Sequence, residues 1–131
     1  MLGLDTNVLA RFLVRDDIAQ YERVRKLIKG EVDRGKQVFV SLMVLLELEW
    51  VLRSRYGLSK AEILEAMSHL LDAAEICFED ESTLEEALFL WEDSSADFAD
   101  CMIGAKHRRQ GCRATASFDA KAIKLPMFVR A

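Results

Sequence analysis

The chain has 131 residues, of which 51% are hydrophobic and 31% charged, with a net charge of −4. That size suits one domain with a packed core, and the apolar share excludes a disordered chain. The acidic balance excludes a basic coat for nucleic acid, although an acidic site that awaits cations lowers the net charge by itself.

One Pro and six Gly leave little material for linkers, so a single domain over residues 1–131 is expected. Cys77, Cys101 and Cys112 are odd in number and form no CxxC pair, which speaks against a disulfide framework or a zinc site. Asp5 interrupts any early apolar leader, and the longest apolar stretch, residues 38–52, contains Ser41, Glu47 and Glu49. A soluble, cytoplasmic protein with no membrane partner is expected.

The elements in chain order alternate strand and helix. Residues 1–4 read as a short buried strand ending at Asp5, and residues 6–14 as a helix with Val8, Leu9, Phe12 and Leu13 apolar. Asp16 or Asp17 can cap a second helix that runs to about residue 34, stopped by Gly35. Residues 37–40 form a strand, and Ser41 caps a helix to about residue 55. Ser59 with Glu62 makes a capping box for residues 60–73, and residues 75–78 form a third strand. Ser82 with Glu85 makes a second box for a helix to about residue 92. A polar connection, residues 93–97, leads into a helix over 98–110 that stops at Gly111. Residues 113–115 form a fourth strand, residues 117–119 a turn, and residues 127–129 a fifth strand after Pro126. With no hairpin between strands, the pattern implies an α/β fold with a parallel sheet covered by helices on both faces.

Several acids then stand out. In a sheet of this kind ligand sites lie at the carboxyl ends of strands, where Asp5 falls. On the third helix, at about 100° per residue, Glu47 lies among Val51, Val44, Met43 and Trp50, inside the apolar face. A buried acid there calls for a buried Arg or for a metal. Glu49 lies on the opposite side, one turn before Arg53, as an ordinary exposed ion pair. Asp97 and Asp100 share one face at a helix start, either as N-cap and dipole partner or as ligands, with Gly104 leaving room beside Asp100. Asp119 is either a turn residue or another acid at the end of a strand. Such a cluster repels itself unless divalent cations intervene, and oxygen donors favour Mg²⁺, or Mn²⁺ in its place, over Zn²⁺. His69 and His107 have no metal-ligand spacing, and Lys106, His107, Arg108 and Arg109 read as a solvated helix face. Arg11, Arg15, Arg53, Arg55, Arg108 and Arg109 could contact phosphates, but no common surface is readable for them. Nucleophile elbows, Walker A and GxGxxG loops are absent from the sequence.

Four segments in order carry a family resemblance. Leu4-Asp5-Thr6-Asn7-Val8-Leu9 resembles the opening motif of PIN-domain ribonucleases, and residues 44–52, around Glu47, look like their second. Residues 96–105, with Asp97 and Asp100, resemble the third, and Ser117-Phe118-Asp119 the fourth. Within that family the chain is most similar to VapC toxins of bacterial type II toxin–antitoxin modules. The resemblance implies a three-layer α/β/α sandwich around a parallel sheet of four to five strands. It implies Mg²⁺-dependent endonucleolytic cleavage of RNA by activated water, a small VapB-type antitoxin as partner, and a homodimer. Carried over by motif, Asp5, Glu47, Asp100 and Asp119 are the catalytic acids. Asp5 and Asp100 are then direct metal ligands, and Glu47, Asp119 and Asp97 complete a second site or act through water. Thr6, Asn7 and Ser117 support them. Two other readings compete: a non-catalytic, Mg²⁺-binding response-receiver module, and a degenerate PIN domain used only for protein binding. The first needs an acidic pair after the first strand, where this chain has one Asp, and the second does not need the four acids.

Overall fold

The structure, a computed structural model, describes residues 1–131. It divides into two compact units, Met1–Glu79 and Asp80–Ala131. All strand pairing is parallel, and helices supply the connections, as the alternating pattern predicts. No helix is long and apolar enough to cross a membrane.

In the first unit, β1 (Leu2–Gly3), β2 (Val38–Val40) and β3 (Ile76–Phe78) form a sheet in the order β1-β2-β3. The register pairs Leu2 with Val38 and Val38 with Ile76. Val38 and Val40 on the middle strand are fully buried. The expected burial of the opening run holds at Leu4 alone, because β1 is an outer strand of this sheet and Leu2 and Gly3 are exposed. The helices are α1 (Thr6–Val14), α2 (Ile18–Asp33), α3 (Leu42–Ser54) and α4 (Lys60–Asp72), with α1 packed on both α2 and α3. Ser59 and Glu62 form the predicted capping box. α1 ends on Arg15 at φ 59°, a left-handed cap that is uncommon without glycine, and its guanidinium lies 4.6 Å from the Tyr21 ring centroid.

The phase of α3 differs from the expectation. Leu45, Leu48 and Leu52 are fully buried, so the buried arc lies to the far side of Leu48 from Glu47. Met43 and Trp50, which flank Glu47, are 78% and 52% exposed. Glu47 is therefore exposed, and Glu49 is the buried acid. Its pair with Arg53, Nε to Oε2 at 2.8 Å, is thus not an ordinary surface bridge. The helix is apolar nearly all round, and the exposed Met43 and Trp50 misdirected the choice of face.

In the second unit, α5 (Glu81–Glu92) packs on α6 (Phe98–Arg109), and β4 (Thr115–Ser117) pairs with β5 (Phe128–Arg130). A 3₁₀ turn, Ala122–Lys124, lies between them and was not expected. Trp91 and Phe98 meet edge to face at 5.2 Å. The cap of α5 is Asp80 and not Ser82: Oδ1 accepts from the Thr83 amide at 3.0 Å and Oδ2 from its hydroxyl at 2.6 Å. Both late strands begin later than predicted, so Ser117 ends β4 instead of opening a turn.

Gly104 does not leave room for a ligand. The Phe128 ring occupies that space, and a Cβ at position 104 would stand 3.0 Å from Cζ and closer still to Cε1. Gly104→Ala is expected to lower unfolding stability by about 1–3 kcal/mol, the usual cost of overpacking. Urea denaturation measures this, and Phe128→Leu in the same chain should recover part of the loss.

Candidate metal centre

The third motif places two acids one turn apart on α6. Asp97 stands at the N-cap position, yet its side chain makes no capping hydrogen bond, so the plain capping role does not hold. Asp100 lies three residues on, half-buried in the first turn, between buried Phe98, Cys101 and Met102. That spacing puts both carboxylates on one face.

Asp119 follows β4 and is held by its own backbone. Its Oδ1 accepts from the amides of Lys121 at 2.8 Å and Ala122 at 3.0 Å, and its amide donates to Ser117 Oγ at 3.0 Å. The turn role read from sequence is real, and it aims the carboxylate as well. Those two amides hold Asp119 below the ordinary carboxylate range.

Asp97, Asp100 and Asp119 come together, each offering a carboxylate oxygen within 4.8 Å of the others. No Lys, Arg or His forms an ion pair with any of the three. Burial, then the charges of Asp119 and Asp97, push Asp100 up from its ordinary value. The donor set is oxygen only. Asp97, Asp100 and Asp119 would be the residues to hold a Mg²⁺ ion. Asp97, Asp100 and Asp119 thus fit a hard divalent cation, and no thiol or imidazole belongs to the group.

The basic run on α6 is a solvated face, as expected, with His107, Arg108 and Arg109 exposed, and its cations are paired. Lys106 Nζ lies 2.7 Å from Asp80 Oδ2, Arg109 Nε 3.8 Å from Asp80 Oδ1, and Arg108 pairs with Glu86. His107 Nδ1 shares a 2.9 Å hydrogen bond with the Thr115 hydroxyl. Burial opposes ionisation of Asp80, but hydrogen bonds from Lys106 and Thr83 outweigh it and hold the carboxyl down at about 2. These cations are therefore engaged by other acids of the same unit.

The other predicted site residues belong to the first unit. Asp5 is exposed and caps α1, with Oδ1 accepting from the Val8 amide at 3.0 Å and Oδ2 left without a protein donor. Thr6 is buried, and Asn7 is exposed beside it. Glu47 is exposed on α3. Arg23 escaped the sequence reading; its only mark there is a place on the α2 face with Gln20, Val24 and Leu27, beside a cleft that Asp5 also lines.

Asp97, Asp100 and Asp119 are thus a hard-oxygen donor set carried by an α/β protein with parallel strands. The PIN domain family matches residues 3–126, and the chain belongs to that family. Membership carries a nuclease-type function and nucleic acid as the molecule bound, and PIN domains use divalent metals, for which the acid trio is a ready donor set. Comparison with curated proteins finds no match.

Removing one charge from the trio should stabilise the metal-free protein. Because the folded value of Asp100 is raised, the folded state holds that proton more tightly than the unfolded chain. Its contribution is complete at low pH and is lost as pH rises through the raised value. Asp100→Asn is therefore expected to melt above the natural chain in EDTA at pH 7, with a smaller gap at pH 4. Thermal melts at the two pH values measure this.

Proposed function

We propose that the chain is a Mg²⁺-dependent endoribonuclease and the toxin component of a VapBC-type toxin–antitoxin module. The observation that carries the reading is the convergence of Asp97, Asp100 and Asp119 in a chain of the PIN domain family. We read residues 1–131 as one PIN-like domain, a reading supported by a family match that runs from residue 3 to residue 126 and so includes most of both units. The family match also leaves no ground for a response-receiver module.

Support for the individual acids is of two kinds. For Asp97, Asp100 and Asp119 it is geometry, and for Asp5 and Glu47 it is the motif each stands in. We assign Asp5 and Asp100 as metal ligands, with Mn²⁺ able to replace Mg²⁺. Glu47 and Asp119 orient water or complete a second site, and Asp97 belongs with them. Thr6, Asn7 and Ser117 support the set, and Ser117 does so through the Asp119 amide.

When bound, Mg²⁺ supplies Lewis acidity that activates water and offsets charge on the leaving oxygen of a phosphodiester. The protein residues position that chemistry. Asp119 is fixed by three backbone or hydroxyl contacts and needs little reorganisation. Asp100, half-buried and facing the charges of Asp97 and Asp119, would hold the cation. No nucleophilic side chain is required. A small VapB-type antitoxin, a homodimer and a cytoplasmic setting follow from the toxin reading, supported by the resemblance of the four motifs.

Asp100→Asn and Asp5→Asn should each lower Mg²⁺-dependent cleavage of RNA by about 10²-fold or more while leaving the fold intact, since each removes a charge from the metal ligands. Cleavage of labelled RNA with and without EDTA measures this. Undiminished cutting by both variants would sink the assignment.

A further inference from the structure

The first unit holds a cleft of about 480 Å³ whose lining includes Asp5, Asn7, Arg11, Arg23, Arg55 and Tyr56. We propose that it is a subsite for one nucleotide of a single-stranded RNA, its phosphate on Arg23 and Arg55 and its base against Tyr56. This rests on the nuclease reading, because that reading puts a bound phosphodiester at Asp5.

The arginines make the case. Every other arginine of this unit is engaged. Arg11 holds both oxygens of Asp16 at 2.9 Å, Arg25 pairs with Glu22, Arg34 with Glu31 and Arg53 with Glu49, and Arg15 lies on Tyr21. Arg23 and Arg55 have neither an acid nor an aromatic partner, both are exposed, and both line the one cleft. In a chain of net charge −4, two unengaged guanidinium groups brought to one place from α2 and the end of α3 form a local exception. A guanidinium fork matches phosphate geometry.

The rest of the wall suits a base. Tyr56 is half-buried, with the Arg11 guanidinium 5.8 Å from its ring centroid, so the ring is held and still partly open. Val24 and Leu27 extend the apolar side. Aromatic faces beside cationic groups are the usual means of holding single strands. The volume lies within the ~300–1,000 Å³ of small-ligand sites. An acidic peptide would use the arginines but leave the aromatic wall unused.

The test measures binding of a labelled 12-nucleotide single-stranded RNA in Mg²⁺, with Asp100→Asn as background so that the RNA stays whole. Adding Arg23→Gln and Arg55→Gln should weaken binding tenfold or more at 100 mM salt. It should also flatten the slope of log affinity against log salt by about 1.4, two phosphate contacts at ~0.7 each. Arg55→Lys should keep part of the affinity, and the melting temperature should not change. Equal affinity and slope with and without the two arginines overturns the subsite. So does loss of binding to an oligoglutamate peptide with RNA binding unaltered, which would assign the cleft to an acidic protein partner. If the natural chain cuts RNA while the subsite test fails, the nuclease reading stands alone. If the natural chain cuts no RNA in Mg²⁺ or Mn²⁺, the nuclease reading fails and the subsite with it.

Discussion

Three carboxylates brought within 4.8 Å repel one another, and no Lys, Arg or His forms an ion pair with any of them. Asp97 gives up the capping bond its position offers. Asp119 is pinned by the Lys121 and Ala122 amides, which favour its charged form. The proton affinity that results falls on Asp100, the half-buried member. A divalent cation removes the repulsion in one step, and the same electrostatics then becomes binding energy.

The remaining charges are distributed to keep this so. Lys106, Arg108 and Arg109, farther along the same helix as Asp100, are held by Asp80 and Glu86. Asp80 is at once the cap of α5 and the anchor of α6, two roles from one carboxylate. In the first unit the balance is reversed. Five of the seven arginines are engaged by acids or an aromatic ring, and the two that are not, Arg23 and Arg55, share a cleft with Asp5.

Much of the fold was readable from residue order, because strand, cap and helix signals are local. The Ser59 and Glu62 box and the Ser41 cap of α3 needed only neighbours in sequence. The convergence of Asp97 and Asp100 followed from helical spacing alone. Failures came where a choice depended on packing. The phase of α3 was ambiguous because apolar residues surround it, and only the positions of Leu45, Leu48 and Leu52 in the core decide that Glu49 is buried and Glu47 is not. Asp80 and not Ser82 caps α5, through the Thr83 amide and hydroxyl, and it also meets Lys106, 26 residues away. The vacancy beside Gly104 is filled by Phe128, a contact between distant segments that no local pattern encodes. Arg23 gave no signal, since an exposed arginine acquires meaning only from what shares its cleft.

The most direct measurement is calorimetric titration of the metal-free chain with Mn²⁺, repeated in buffers of different ionisation enthalpy near pH 5 and at pH 7.5, with Asp100→Asn and Asp97→Asn alongside. Binding that weakens sharply in both variants, with more proton release at the lower pH than at pH 7.5, is the predicted result, because a cation and a proton would compete for the Asp100 carboxylate. No heat of binding at millimolar Mn²⁺, or binding that both variants retain at full strength, would contradict the assignment of these carboxylates as the metal centre.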